Sequence, residues 1–529
     1  MSKKIPIGIQ DLQELREGDY FYVDKTEAIY NLLSKNKYFF LSRPRRFGKS
    51  LTLSTMKYLY MGKKELFKDT WIYDKWDFTK TSPVLHLSFA GFTADQDMKE
   101  YIKKQFKVFI GDEIRTLDYF DNRFELDYIL QKIFNDTGKK TAIIIDEYDK
   151  GVLVHLTDVV KAEAMRDFFT SFYSGVKDSD PFIELFMLTG LTKVLKMSVF
   201  SVLNNLEDIS YDSRSYALMG YTLQELRNNF SPEIDEVAKE KNMTVEETVN
   251  SIVTHYNGYN FWNPRDTIFN PWNINNFCLK KEFNFYWADT GIPSAILNYI
   301  KKNSIDVKDL IESLNEDLLR IDEIGFKLED LTRIKAEVLF TNSGYLTVKR
   351  FDKWVYTLGY PNEETEKVMT QFFVSLLEPS YNFSVMERIA SWLYEGITTQ
   401  NSELLSETFD LMINKFLSDT AYEWINKNPE GWFKTFLWMF LRLNNIYYYP
   451  EVQNLKGRKD LVIPVNNKYY IIEAKVDGTC EAAIAQIDKK YMPQFPNADV
   501  VKVAFNWKRQ EWVVEVVMVT CRGGSVCPP

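Results

Sequence analysis

Residues Arg43 to Ser50, RPRRFGKS, end in the Gly-Lys-Ser of a phosphate-binding loop. The apolar run Tyr38–Leu41 precedes them, and a helical pattern through Leu51, Leu53, Met56 and Leu59 follows. Phosphate binding needs that strand–loop–helix setting: backbone N–H groups wrap the phosphates, a lysine neutralises them, and a Ser/Thr hydroxyl ligates Mg²⁺. Gly48, Lys49 and Ser50 supply these closing elements. Arg43 stands where the usual pattern begins with glycine. An arginine does not take φ > 0 cheaply, and Pro44 biases Arg43 toward extended backbone, so an extended first half of the loop is expected. Guanidinium groups from Arg43, Arg45 and Arg46 are candidates to replace the missing amide donors around a triphosphate. The alternative is that Arg45 and Arg46 pair with acids on a neighbouring helix or subunit.

A second run, Thr141-Ala-Ile-Ile-Ile-Asp146-Glu147, ends abruptly in two carboxylates. It reads as a buried parallel strand with its acids at the C-terminal end, where open α/β sheets place their ligands. Asp146 is then placed to hold Mg²⁺ through water, and Glu147 to polarise an attacking water. A buried strand running into an acidic surface turn would show the same letters. The order of the two motifs favours a nucleotide site. Thr189, at the tip of the run Glu184–Thr189, is a candidate γ-phosphate sensor or a simple turn residue.

A third constellation lies near the C-terminus. Asp460 precedes Glu473 by 13 residues, and Glu473-Ala474-Lys475 closes the run Tyr469-Tyr-Ile-Ile. On a strand, Glu473 and Lys475 share a face while Ala474 turns into the packing. If the run pairs with Leu461–Val465 as a hairpin, Asp460 lies near Glu473. Two carboxylates bind one or two Mg²⁺, and a neighbouring lysine orients water or stabilises a pentavalent phosphate. An edge strand carrying a surface salt bridge is the alternative. The letters recur cheaply, as Asp97-Met-Lys99 and Asp306-Val-Lys308 show. The distinction is a charged pair embedded in apolar sequence, where unpaired charge is costly. Glu451, Gln486 and Tyr491 are secondary candidates.

The elements that must position these residues follow from pattern. Runs at Tyr38–Leu41, Val84–Phe89, Thr141–Asp146 and Glu184–Thr189, alternating with helical segments, predict a parallel α/β domain over 1–215. Residues 216–290 read as a lid-like subdomain, helical and then rich in aromatics, Asn and Gly. Residues 291–435 read as helical, 436–520 as a compact β-β-α-β-β unit, and 521–529 as a tail. At 529 residues the chain is long enough for several cores. The net charge of −9 argues against coating nucleic acid non-specifically. Residues 430–520, with 12 Lys/Arg against 10 Asp/Glu, are less acidic than the rest. No apolar stretch in MSKKIPIGIQ resembles a signal peptide, and no uninterrupted apolar run of membrane-spanning length occurs. Four scattered cysteines and three separated histidines argue against zinc and a disulfide framework. A reduced, soluble, cytoplasmic protein without a membrane partner is expected.

With these motifs in view, the chain resembles a bacterial family that joins an AAA-ATPase-like domain to a C-terminal PD-(D/E)XK nuclease-like domain. The resemblance runs through Ile7-Gly-Ile-Gln, Tyr22-Val-Asp-Lys-Thr26, RPRRFGKS, Ile145-Asp-Glu-Tyr148, Thr189-Gly190, His255-Tyr-Asn-Gly-Tyr259, Gly457-Arg-Lys-Asp460 and Ile472-Glu-Ala-Lys475. It implies a P-loop parallel sheet, a helical middle region and a restriction-endonuclease-like α/β domain. It implies ATP at Gly48, Lys49, Ser50 and Asp146, with Glu147 hydrolytic and the Tyr22–Lys25 stretch flanking the nucleotide. It also implies Mg²⁺ at Asp460 and Glu473, with Lys475 catalytic. Nucleic acid, DNA first, is the expected substrate, with a defence or mobile-element role by analogy. AAA-type ATPases often complete a neighbouring copy's site with an arginine, so a homo-oligomer is among the expectations.

Overall fold

In the computed structural model the described residues are 3–111, 126–192, 203–261, 266–287, 298–300, 302, 314, 320–322, 335–352, 355–377, 383–416, 440, 461–465, 468–495, 498–508 and 513–521. The chain divides into two compact units. The first is Met1–Ile305 with Arg320–Thr365, and the second is Asp306–Leu319 with Glu366–Pro529. The expected boundaries at 215 and 290 both fall inside the first unit.

The first unit is built on strands β1 (Tyr38–Ser42), β2 (Val84–Ser88), β3 (Thr141–Asp146), β4 (Ile183–Gly190) and β5 (Glu207–Asp208). They form one sheet in the order β2-β3-β4-β1-β5, every neighbouring pair parallel. Strand β1 is buried at all five positions and β3 at all six, as a strand covered on both faces must be. Helix Lys49–Tyr60 packs Leu53, Met56 and Leu59, spaced three residues apart, on Phe39 and Leu41 of β1 and Ile144 of β3. The order inserts β4 between the loop-bearing strand β1 and the acid-bearing strand β3. The tips of all three, Ser42, Asp146 and Gly190, therefore lie side by side along one sheet edge.

After the sheet come helices Leu223–Asn229, Ser231–Glu240, Val245–Tyr256 and Pro271–Lys280. They share a core of Leu226, Phe230, Ile234, Val249, Ile252 and Phe277. The helical reading of 291–435 is incomplete. Helices Ala336–Ser343, Phe383–Thr399 and Ser402–Phe416 are present, but so is an antiparallel sheet of β6 (Arg320–Asp322), β7 (Thr347–Asp352) and β8 (Val355–Gly359). Strand β6 is three residues long, and a register shift between Val348 and Arg350 breaks the alternation that would betray β7.

In the second unit, β9 (Leu461–Val465), β10 (Lys468–Val476), β11 (Asp499–Lys508) and β12 (Val513–Cys521) form a sheet in the order β12-β11-β10-β9. Strands β9 and β10 make the expected antiparallel hairpin, and β10 runs parallel to β11 through helix Cys480–Lys490. Cys278 and Cys480 are free, but Cys521 is disulfide-bonded, its partner lying outside the described residues. The expectation of wholly reduced cysteines is corrected there, because spacing arguments test for frameworks and metal sites, not for a single cross-link.

Candidate functional site

The phosphate-loop motif folds as the turn from β1 into helix Lys49–Tyr60. Gly48, at φ +94, is the N-cap of that helix, and a Cβ there would point into open space. Arg46 is also left-handed, at φ +67, whereas Arg43 is not. Lys49 is buried, and its Nζ donates to the carbonyls of Arg43 (2.9 Å) and Pro44 (3.0 Å). Burial lowers the lysine's pKa, opposed by the carboxylates of Asp146, Glu147 and Asp149. Carbonyl partners are exchangeable: an incoming phosphate offers the ammonium a stronger, charged acceptor.

Asp146 is the hub. One carboxylate oxygen, Oδ2, accepts from Ser50 Oγ at 2.6 Å, and the other, Oδ1, accepts from Thr189 Oγ1 at 2.8 Å. The three residues proposed from sequence for a cation and a sensor thus touch one another through the sheet order described above. A hydroxyl and a carboxylate are the hard oxygen donors that Mg²⁺ takes, with water filling its other positions, so the residues fit that ion. Glu147, next in the chain, sits at φ +53 and is only partly buried. Burial raises its pKa; Asp146 and Asp149 push the same way, while Lys49 and Lys150 oppose them.

The three arginines separate. Arg43 is 1% exposed, and its guanidinium donates to the carbonyls of Ser42 (2.9 Å), Ser210 (2.6 Å) and Ser215 (3.1 Å) while lying 4.0 Å from the centre of the Phe261 ring. Both terminal nitrogens are thus held by backbone carbonyls, while the buried Nε has no hydrogen-bond partner among the described residues. Arg46 lies over the Trp272 ring at 4.4 Å. Arg45 is exposed.

A cavity of about 340 Å³ opens beside the loop. Arg45 to Ser50 and Glu147 line it on one side, and residues from Pro6–Gln10, Tyr22–Lys25, Leu218–Tyr221 and Pro271–Asn275 complete the wall. Among these described lining residues, Lys25, Arg45, Arg46 and Lys49 are cationic and Glu147 is the single carboxylate. An anion is the complementary guest.

Sequence reasoning missed Asp149. It is 1% exposed and accepts from Leu191 N (3.3 Å), Thr192 N (2.6 Å) and Thr192 Oγ1 (2.7 Å), pinning the chain after β4 to the turn that carries Glu147. Its signal was a third acid two residues after Glu147.

In the second unit, Glu473 is 3% exposed on β10. Lys475 Nζ lies 3.7 Å from Glu473 Oε1, and Tyr491 OH donates to Glu473 Oε2 at 3.3 Å. Strand pairing sets Leu461 opposite Ile472, the residue before Glu473. Asp460 and Glu451 lie outside the described residues. Gln486 is half-buried on helix Cys480–Lys490, which also carries Asp488, bound to the buried Lys502 of β11 at 2.5 Å.

Comparison with known proteins agrees with both domain readings. Residues 6–200 match the family model described as a predicted AAA-ATPase, and residues 428–516 match the PD-(D/E)XK nuclease superfamily. A protein of Azotobacter chroococcum mcd 1, named only as an uncharacterized protein in the vnfD 5′ region, is 31% identical over 510 residues, covering 93% of this chain and 94% of that protein. No solved structure matches. The chain belongs to the family that joins an AAA-ATPase-like domain to a PD-(D/E)XK nuclease-superfamily domain. No helix among the described residues is long and apolar enough to cross a membrane.

Proposed function

We propose that the chain binds and hydrolyses ATP at the tips of β1, β3 and β4, and that nucleotide state gates Mg²⁺-dependent cleavage of nucleic acid by the C-terminal domain. The observation that carries this reading is the Ser50–Asp146–Thr189 hydrogen-bonded set beside Lys49 and Glu147.

Lys49 leaves the Arg43 and Pro44 carbonyls to meet the β- and γ-phosphates, and the amides at the start of helix Lys49–Tyr60 cradle them. Ser50 and Asp146 would hold Mg²⁺, which would supply positive charge against that developing on the phosphates. Thr189, fixed on Asp146, senses the γ-phosphate at the β4 tip. Glu147 takes the proton of the attacking water. In the C-terminal domain Glu473 and Asp460 would hold Mg²⁺, and Lys475 would orient water or offset charge on the reacting phosphate. Tyr491 braces Glu473 through its hydroxyl. A defence or mobile-element setting and a homo-oligomeric state belong to this proposal by analogy with similar ATPase–nuclease pairs.

ATP binding and turnover in the parent and in Lys49→Ala test the first half. The parent is expected to bind and turn over ATP, and the variant to do neither. Equal turnover in the two removes the nucleotide site. A second reading, a nucleotide-dependent switch whose C-terminal domain binds nucleic acid or protein without cutting, draws support from the near-neutral balance of 430–520. Under it, Glu473→Ala leaves the cellular phenotype intact while Lys49→Ala abolishes it.

A further inference from the structure

The cavity holds a second lysine that the phosphate loop does not supply. Lys25, in the Tyr22-Val-Asp-Lys-Thr26 stretch, lines the cavity at 9% exposure. Its Nζ lies 2.6 Å and 2.7 Å from the two carboxylate oxygens of Glu225, 200 positions along the chain. The same carboxylate accepts from Thr222 N (2.8 Å) while Glu225 N donates to Thr222 Oγ1 (3.1 Å), the capping box that starts helix Leu223–Asn229. One side chain thus fixes both the helix start and the lysine.

The segment before that helix is tied to the rest of the cavity wall. Gly220 N donates to the Phe47 carbonyl of the phosphate loop at 3.2 Å. Tyr221 OH donates to Asn275 Oδ1 at 3.2 Å, and Asn275 Nδ2 donates to the Pro6 carbonyl at 2.9 Å. Four pieces of chain, remote in sequence, are held around one cavity by these bonds.

A largely buried ion pair seldom stabilises a fold more than an apolar pair of the same volume. Folding alone therefore gives little reason for Lys25 and Glu225. The cavity gives one. We propose that the Lys25–Glu225 pair is a positioning clamp, which holds the N-terminal segment against the Leu218–Glu225 segment so that the cavity is shaped for its nucleotide before the nucleotide arrives. The inference rests on the ATP reading above. Lys25 differs from Lys49 in its partner. Carbonyls release Lys49 to a phosphate, whereas a carboxylate keeps Lys25 in place, so Lys25 acts through position and not through charge on the phosphates.

The test uses the full chain, a fluorescent ATP analogue for binding, and steady-state ATP turnover. Lys25→Met removes the charge and keeps most of the volume. Glu225→Gln removes the ion pair and keeps a residue competent in a capping box. Each is expected to raise the dissociation constant and KM at least tenfold while kcat stays within threefold, and the double variant is no worse than the worse single. Variants that melt like the parent and bind the analogue like the parent overturn the clamp, as does a fall in kcat with KM unchanged. A measurement on the parent covers the case in which the variants do not fold. Without ATP the amides at 20–26 and 218–226 should already exchange slowly, and fast exchange there that only ATP suppresses also overturns the clamp. Equal binding by the parent and Lys49→Ala would instead defeat the ATP reading, and the clamp with it.

Discussion

Glu147, proposed here as the general base, sits in an environment that tells against its own charge. Burial, with Asp146 and Asp149 nearby, raises its pKa, and the ammonium groups of Lys49 and Lys150 offset only part of that. A general base works only when ionised. Because its pKa is raised, the residue stays protonated to a higher pH than an ordinary glutamate, and turnover rises as pH climbs through the shifted value. The acidic limb of kcat for ATP hydrolysis should therefore lie above the usual glutamate range; a limb within or below that range contradicts the assignment. Glu147→Gln should bind ATP with parental affinity and fail to hydrolyse it, since the carboxamide keeps the shape and loses the base. The arginines make opposite predictions. Arg43→Ala strands three carbonyls that share one guanidinium and should cost about 3 kcal/mol of stability in a denaturant melt. Arg45→Ala should leave stability unchanged and weaken ATP binding by about 1.5–3 kcal/mol, the range for a hydrogen bond to a charged group. The sequence could name these residues but not tell them apart, because which carbonyls receive Arg43 depends on Ser210 and Ser215, some 170 positions downstream.

Among elements, the legible ones were those whose pattern is local. Strands β1, β3 and β4 each carry an apolar run of four residues, and their ends agree with the structure to within a residue or so. The β-β-α-β-β order of the C-terminal domain was equally plain, with Glu473 on β10 as its period required. What stayed hidden was short or non-local. Strand β5 has two residues, β6 has three, and the Lys25–Glu225 pair spans 200 positions. The same limit covers the His255-Tyr-Asn-Gly-Tyr259 motif, whose reason is packing. Gly258 sits at φ +97 with its Cα turned onto the Pro361 carbonyl, so that any Cβ would clash, and Tyr259 meets Phe47 of the phosphate loop edge-on at 4.8 Å. Gly258→Ala adds a steric clash to a left-handed backbone and should cost about 3 kcal/mol or more. A urea melt with an unchanged midpoint would contradict that packing role.

For the whole molecule, the question is why one chain carries a phosphate-loop sheet and an acid–lysine strand together. Each constellation alone has bland explanations: a loop with a missing glycine, a salt bridge on a strand. Joined in a chain whose family unites the two domains, they support the proposed nucleotide-controlled reaction on a phosphodiester. The two sites are separable by single residues: Lys49 belongs only to the first and Glu473 only to the second. Mg²⁺-dependent cleavage of DNA, with and without ATP, in the parent, Lys49→Ala and Glu473→Ala is the most direct measurement. The account predicts cleavage by the parent only when ATP and Mg²⁺ are both present, no cleavage by either variant, and undiminished ATP turnover in Glu473→Ala. Cleavage by Lys49→Ala at the parental rate would contradict gating, and no cleavage of any DNA or RNA by the parent would contradict the nuclease itself.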